Sequence, residues 1–536
     1  MDSSSRVLII GAGIGGLALA QGLKKHGVPF HVFEQDLTPD FRAQGYRLKL
    51  NSDGSKALND VLNESLWTQF QDTCAVCEEG ETNFDAIAAT IIASRAGPRR
   101  TRGVVAIKTQ TCDRTVLRNI LLFGLSGSIS FGKSLSEYII TGKGNIVVRF
   151  VDGSSENGTL LIGADGIHSR VRKQYLPNHR PLDTNGSCIY GKTPLTPELL
   201  EIFPRRATKW MTLIIDKTPM TQTLDVDETP LTLLLEPIRF ANNAHRKDLP
   251  VDYIYWVLIS RTDLFETHTK ELPYLNGEES AKLSLKLTQE WDPSFRALFH
   301  LQDSSQTSTL RVSSAFPKIV PWEPSANVTL MGDAIHVMSP SGGVGAVTAL
   351  RDAALLSNTI YKLGISASSI GEYEATMRGY AQESIERSYF GGKKMFGQEP
   401  FDKWPLKIQD PSLQLHIFKE VSVPFQLTAF KLAMADDPQK LLCWVVCAYR
   451  KPGLSEEEYH KYMSKVHAPL CHNTSETRSL MNQLVGPQFE NLADYDCVVT
   501  AVFRDIDDFV RMKQDPYYIN KVMPDHENFA DTTRSK

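Results

Sequence analysis

No stretch of this chain is apolar for long enough to cross a bilayer as a helix, which takes about 20 residues. The best candidate, Val421 to Ala435, is short and carries Lys431. No membrane span is therefore expected. A strong excess of one charge is also missing. The formal net charge is −4 over 536 residues, so neither nucleic acid nor an anionic membrane is an expected partner. Cysteine is sparse. The 8 cysteines include a C-x-x-C pair, Cys74 and Cys77, but no second pair follows at metal-ligand spacing. No metal site is expected, and reduced thiols in a cytoplasmic protein are. Residues 1–6 leave no room for a leader peptide before the first apolar run, so that run is expected to be structure.

What is present is organised by that run, Val7-Leu8-Ile9-Ile10-Gly11-Ala12-Gly13-Ile14-Gly15-Gly16. Val7 to Ile10 has the pattern of a strand buried on both faces of a parallel sheet. The G-x-G-x-x-G that follows opens a helix. Gly11 permits a tight turn, Gly13 lets a pyrophosphate approach the backbone, and Gly16 lets the helix pack close to the strand. Free N–H groups and the dipole at the helix start favour an anion. A second apolar run, Phe30 to Phe33, ends in Glu34, which lies 18 residues beyond Gly16. There a carboxylate accepts hydrogen bonds from an adenosine ribose. An acid at that place argues against NADP in this site and leaves FAD and NAD open.

Length predicts roughly three domains. Gly45 to Asn51 reads as an alternating strand entering a helix. Asp113 can cap a helix with the apolar stripe Val116, Leu117, Ile120 and Leu121. Arg114 and Arg118 share one face of that helix, either as a solvated pair or as a clamp for phosphate or ribose. A strand from Thr159 to Ile162 runs into Gly163-Ala164-Asp165-Gly166, either an ordinary turn or one that faces a ligand. Strands at Lys209 to Ile215, Leu231 to Phe240 and Tyr253 to Ser260 suggest an antiparallel sheet covering a pocket. Trp210, Tyr253, Tyr255 and Trp256 favour a flat aromatic or polyketide-like ligand there. Val328 to Met331 is a buried strand leading to Gly332-Asp333-Ala334-Ile335-His336. A glycine-rich loop through Gly345 and Ala346 then feeds a helix N-terminus suited to an anionic or ring-carbonyl ligand. The prolines between 397 and 440 mark a linker. Strand, helix, strand and helix after Leu441 suit a small α+β sandwich.

The motifs in this order, G-x-G-x-x-G with Glu34, Gly163-Ala164-Asp165-Gly166 and Gly332-Asp333, resemble the single-component (class A) flavoprotein monooxygenases, the para-hydroxybenzoate hydroxylase-like enzymes. The resemblance covers residues 6 to about 395. It implies a Rossmann-like α/β FAD-binding domain (1–184 and 313–396) with an inserted antiparallel-sheet substrate region (185–312). It also implies FAD as the resident cofactor and NAD(P)H as a transient co-substrate. The implied activity is hydroxylation of an aromatic or polyketide-like small molecule with O2 through a flavin C4a-hydroperoxide. By the same resemblance Gly11, Gly13, Gly16, Glu34, Gly45, Arg114, Arg118, Asp165, Asp333, Gly345 and Ala346 bind the cofactor. Tyr190 and His336, with Lys192 as a further choice, are the candidates for positioning or deprotonating a phenol. The chain departs from the family pattern in Gly-Asp-Ala-Ile335-His and in Gly345-Ala346-Val347.

The tail, residues 441–536 after a linker at 397–440, resembles the EthD type of dimeric ferredoxin-like α+β barrel. Tyr449-Arg450-Lys451-Pro452-Gly453, Tyr459 and Val466-His467-Ala468-Pro469-Leu470 carry that likeness. It implies a homodimer through the tail and makes His467 a candidate catalytic residue of a dehydratase or decarboxylase. Other readings of the whole chain are a flavin oxidase or halogenase on the same scaffold, and a flavin-bearing interaction scaffold with little turnover.

Overall fold

A computed structural model describes residues 6–401 except 40–45, 98–108, 142–143, 217–229, 242–248, 267–271 and 273–274, together with the backbone of 442–448 and 497–503. The chain divides into two units, Met1–Gln409 and Asp410–Lys536.

In the first unit the apolar run forms the strand Val7–Ile10, buried throughout. It is central in a parallel sheet of 5 strands, in the order Val328–Leu330, Leu160–Gly163, Val7–Ile10, Phe30–Phe33, Ile129–Ser130. Val7 registers with Leu160 on one side and with Phe30 on the other. The helix after the glycine turn, Ile14–Lys25, presents Leu17, Leu19 and Leu23 to the core. It packs against the long helix Gly345–Leu363. This is the expected Rossmann-like α/β arrangement.

The second sheet has 7 strands. It includes Leu182–Pro194, Met211–Ile215, Thr232–Ile238, Tyr253–Arg261 and Ser308–Ser314, as expected for the inserted region. It also takes in Gly80–Asp85 and Ile91–Ala96 from earlier in the chain. Met211–Ile215 pairs in parallel with Gly80–Asp85, so the sheet is mixed rather than antiparallel throughout.

Tyr253–Arg261 shows why the sheet buries both faces. Successive side chains point to opposite sides of a strand. Tyr253, Tyr255, Val257 and Ile259 join the core shared with the parallel sheet. Ile254, Trp256 and Leu258 join a second core with Leu283, Phe295 and Leu298 from the helices Gly277–Leu287 and Pro293–His300.

In the second unit Leu442–Ala448 and Cys497–Phe503 pair antiparallel, with Leu442 opposite Phe503. They fall where the sequence pattern placed strands.

Candidate active site

The motif turns meet at the ends of the parallel strands. Gly11 has φ +108°, and any Cβ there would stand 2.3 Å from the Ala164 carbonyl oxygen. Glycine is needed at that crossing. A Cβ at Gly16 would stand 2.1 Å from the Gly11 oxygen, so this position sets how closely helix and turn approach. Gly13 differs: a Cβ there would meet nothing within 4 Å. Gly13 caps Ile14–Lys25 without a side-chain hydrogen bond, and the first turn holds no acid. The positive end of the helix therefore opens onto free space, which suits a pyrophosphate.

Glu34 stands just beyond Phe30–Phe33, 8% exposed. Its carboxylate accepts hydrogen bonds from Ala12 N–H at 2.7 Å and Asp36 N–H at 3.0 Å. The acid thus braces the turn with lone pairs to spare. Asp113 caps Arg114–Leu122, accepting from Thr115 and Val116 N–H. From that helix Arg118 Nε donates to the Ala12 oxygen at 3.3 Å and Nη1 donates to Pro39 O at 2.5 Å. The Arg114 guanidinium lies 5.3 Å from the Tyr46 ring centre.

Asp165 accepts from Ser169 Oγ at 2.5 Å and from Arg170 N–H at 2.7 Å. Burial raises its pKa against these hydrogen bonds, and it holds the start of the helix Arg170–Tyr175. Arg172 joins the second and third motifs, donating to Ile167 O at 2.7 Å and Ala334 O at 2.8 Å. Asp333 is exposed to solvent, yet desolvation raises its pKa, with His336 and Arg114 acting the other way. Both facts fit a carboxylate in a recess.

His336 is 0% exposed, and its Nε2 lies 2.6 Å from Asp352 Oδ2. Asp352 also accepts from Gly332 N–H at 2.7 Å and Tyr380 hydroxyl at 2.6 Å. Asp352 was missed as a functional residue. It shares the buried face of its helix with Ala353 and Leu356, and a carboxylate in that apolar stripe was the available signal.

Beside the loop Pro340–Val344 lies a cavity of about 360 Å³. The large sheet supplies Tyr190, Tyr255, Val257 and Ile259, and the strand Arg47–Leu50 supplies Arg47 and Lys49. Tyr190 stacks on Tyr46 with ring centres 5.3 Å apart. Burial holds the Tyr190 phenol well above its usual pKa. Of the four aromatics expected at the pocket, only Tyr255 lines this cavity. Trp256 points to the opposite face and meets Phe299 at 5.1 Å. Trp210 donates to Thr82 at 2.6 Å, and Tyr253 donates to Asp113 at 2.9 Å. Strand alternation separates Tyr255 from Trp256. Lys192 is held by Asp113 at 2.7 Å. His336 does not line the cavity. Arg47, Lys49 and Arg387 do. None of these cations had been assigned a role, although Arg47 and Lys49 sit at alternate positions of one strand. Gly45 and His467 lie outside the described residues.

Comparison with known proteins identifies the fold and the family. A solved structure from Photorhabdus luminescens, described as a FAD containing monooxygenase, is 32% identical with a TM-score of 0.61. The match covers 73% of this chain and 99% of that one. The chain belongs to the FAD-dependent monooxygenases. It matches the FAD binding domain family over residues 279–387 and the NAD(P)-binding Rossmann-like domain family over residues 9–61. FAD is its cofactor, and the open space at Gly13 with the uncapped helix start fits that group. Its tail matches the EthD domain family over residues 451–533.

Among curated relatives, the dual O-methyltransferase/FAD-dependent monooxygenase elcB of Phaeosphaeria nodorum is 45% identical over 433 residues. The match takes in 74% of this chain and 46% of that protein, so this monooxygenase spans about half the length of that relative. The dehydratase aurZ of Gibberella zeae is 47% identical over 125 residues, 20% of this chain and 82% of that protein. Among the described residues no helix is long and apolar enough to cross a membrane, and no His/Cys/Asp/Glu cluster could hold a metal ion.

Proposed function

We propose that this monooxygenase uses NAD(P)H and O2 to hydroxylate an aromatic, polyketide-like small molecule in the cavity beside Pro340–Val344. The observation that carries this reading is the meeting of the motif turns next to a cavity of about 360 Å³ walled by Tyr190 and Tyr255.

In this reading Gly11, Gly13, Gly16 and the start of Ile14–Lys25 hold the FAD pyrophosphate, and Glu34 takes the ADP ribose. Arg114, Arg118, Asp165, Asp333, Gly345, Ala346 and Gly45 complete the cofactor site. When bound, FAD accepts hydride and supplies oxygen activation. The chain's residues bind, orient and exclude water. Tyr190, kept protonated by burial, donates a hydrogen bond to a substrate oxygen and is not a base. His336 holds the Asp333 turn through Asp352 and does not touch the reacting atoms. NAD(P)H docks transiently.

The boundaries expected from sequence, 1–184 with 313–396, 185–312 and 441–536, belong to this proposal with one change: residues 80–96 join the substrate sheet. So do pairing of chains through the EthD tail and residence in the cytoplasm, to which the free thiols of Cys74, Cys77, Cys112 and Cys188 are suited.

A second activity in the tail is favoured by its likeness to a dehydratase over most of that relative's length, with His467 as its catalytic group. Purified protein fed phenolic polyketides, NAD(P)H and O2 tests the main reading by mass analysis of products. Reductant use with only H2O2 formed counts against it. An unchanged product profile in His467→Ala removes the tail activity.

A further inference from the structure

Neither cysteine of the C-x-x-C, Cys74 or Cys77, lines the cavity. The backbone between them also rules out their pairing with each other. Cys74 follows the helix Glu64–Asp72 and its cap Thr73. From there the chain is extended. Ala75 bridges antiparallel to Thr111 on one side and to Phe240 on the other. Its N–H donates to Thr111 O at 2.8 Å, and Val76 N–H donates to Arg239 O at 2.7 Å. Side chains alternate along such a segment, so Cys74 and Cys77 face opposite sides. Three steps of about 3.3 Å set their Cα atoms about 10 Å apart, and a disulfide reaches no further than about 7 Å.

The same register gives Cys74 another neighbour. Ala75 and Thr111 form a hydrogen-bonded pair, so the adjacent pair, Cys74 and Cys112, is a non-hydrogen-bonded one. Residues opposed in that way have Cα atoms about 4.5 Å apart and side chains on one face. That separation is within the disulfide range of about 4.4–6.8 Å. Cys112 lies in the strand Gln110–Asp113, and Cys74 packs against the apolar cluster that contains it. Burial, then the nearness of Cys74 and Asp113, hold the Cys112 thiol well above its usual pKa. Cys77 instead shares the face of Thr111, whose side chain it hydrogen-bonds.

The two thiols differ in access. Cys112 is 0% exposed. Cys74 is half-buried, its Sγ donating to Phe70 O at 3.3 Å. A small oxidant reaches Cys74 first, and burial keeps Cys112 a thiol that is inert on its own.

We propose that Cys74 and Cys112 are a peroxide-sensitive pair that closes to a disulfide, with Cys74 the attacked thiol and Cys112 the resolving one. The oxidant is H2O2, which oxygen activation on a flavin releases when it misses the substrate. First the Cys74 sulfur attacks H2O2: the O–O bond breaks, an S–O bond forms and water leaves. Then the Cys112 sulfur attacks the sulfenic sulfur: the S–O bond breaks, the S–S bond forms, and the Cys112 proton leaves with the hydroxyl as water. One peroxide is reduced to two waters and two thiols are oxidised. Closure keeps Cys74 from the irreversible sulfinic step. It also ties the end of Glu64–Asp72 to the residue before Asp113, which caps the helix of Arg118 and holds Lys192 and Tyr253. Peroxide escaping from the flavin is thereby registered where the cofactor helix meets the substrate sheet. None of these steps depends on the cavity's substrate.

The test treats the FAD-loaded full chain with a small molar excess of H2O2. Remaining thiols are alkylated under denaturing conditions, and the unreduced digest is read by mass spectrometry. A peptide pair joining Cys74 to Cys112 is expected, lost on reduction, with Cys77 and Cys188 alkylated. In Cys112→Ala, Cys74 is expected to accumulate as a sulfenic acid that dimedone traps. In Cys74→Ser, which leaves the buried thiol in place, Cys112 is expected to stay alkylatable at the same dose. A bond between Cys74 and Cys77, sulfinic acid at Cys74 with Cys112 still a thiol, or both still thiols in a large excess of H2O2 overturns the inference. So does oxidation of Cys112 as fast in Cys74→Ser as in the unaltered chain.

Discussion

Replacing Asp352 by Asn tests the organisation of the cofactor side. Asp352 is 0% exposed, and its two oxygens accept from Gly332, His336 and Tyr380 at 2.6–2.7 Å. Asn keeps one acceptor but turns an NH2 group toward a donor, and it removes the carboxylate that raises the His336 pKa and that serves as counter-charge whenever that ring is protonated. Taking away one partner of such a pair costs about 3–5 kcal/mol, a large share of the roughly 5–15 kcal/mol that holds a domain folded.

The pH dependence identifies the cause. Burial lowers the His336 pKa, but the Asp352 carboxylate outweighs it and the net shift is upward. A raised folded-state pKa stabilises fully below the unfolded value of about 6.5, and that contribution fades as pH rises through the folded value. The penalty of Asp352→Asn is therefore largest near pH ~6 and smaller near pH ~9. The temperature at which flavin fluorescence appears on heating reports it, since a cofactor-loaded chain of two units does not unfold in a single step. A fall of about 5 °C or more at the lower pH is expected. A fall below about 1 °C there, or equal falls at both pH values, refutes the account of this cluster.

Further perturbations separate binding space from fold. Gly13→Asp puts a carboxylate into open space, so FAD binding is expected to collapse while circular dichroism of the FAD-free protein is retained; Gly11→Ala, which meets the Ala164 oxygen, is expected to lose stability as well. If Gly13→Asp holds FAD normally, the pyrophosphate lies elsewhere. Lys192→Met removes a partner 2.7 Å from buried Asp113 and is expected to cost about 1.5–3 kcal/mol in urea unfolding. A larger fraction of NAD(P)H ending as H2O2 is expected with it, because Asp113 joins the substrate sheet to the helix of Arg118; unchanged stability and coupling contradict that role.

The parallel sheet and its turns were legible because their signals are local. A β-branched run, a glycine spacing and an acid at the end of the next strand each act within about 30 residues. The Asp113 cap was legible for the same reason, and it sits where expected. The large sheet was only half legible. Thr232–Ile238 and Tyr253–Arg261 read as strands, but nothing in Gly80–Asp85 announces a parallel partner as distant in sequence as Met211–Ile215. The pocket wall was misread where alternation was ignored: Trp256 and Tyr255 are neighbours in sequence and face different cores. Arg387 carried no signal, since an arginine on a long polar helix looks solvated until its helix is docked on the glycine loop. His336 was conspicuous beside Gly332-Asp333, yet its partner Asp352 comes from the next long helix, and that contact changes the role it can play.

The central claim is that the cavity beside Pro340–Val344 hosts oxygen insertion that depends on FAD bound at the glycine turn. Turnover under 18O2 with NAD(P)H and a phenolic polyketide measures this directly. The account predicts a product heavier by one 18O atom for each NAD(P)H consumed, absent from the FAD-free Gly13→Asp protein. Flavin that NAD(P)H fails to bleach in the presence of substrate, or product oxygen drawn from water, would contradict it.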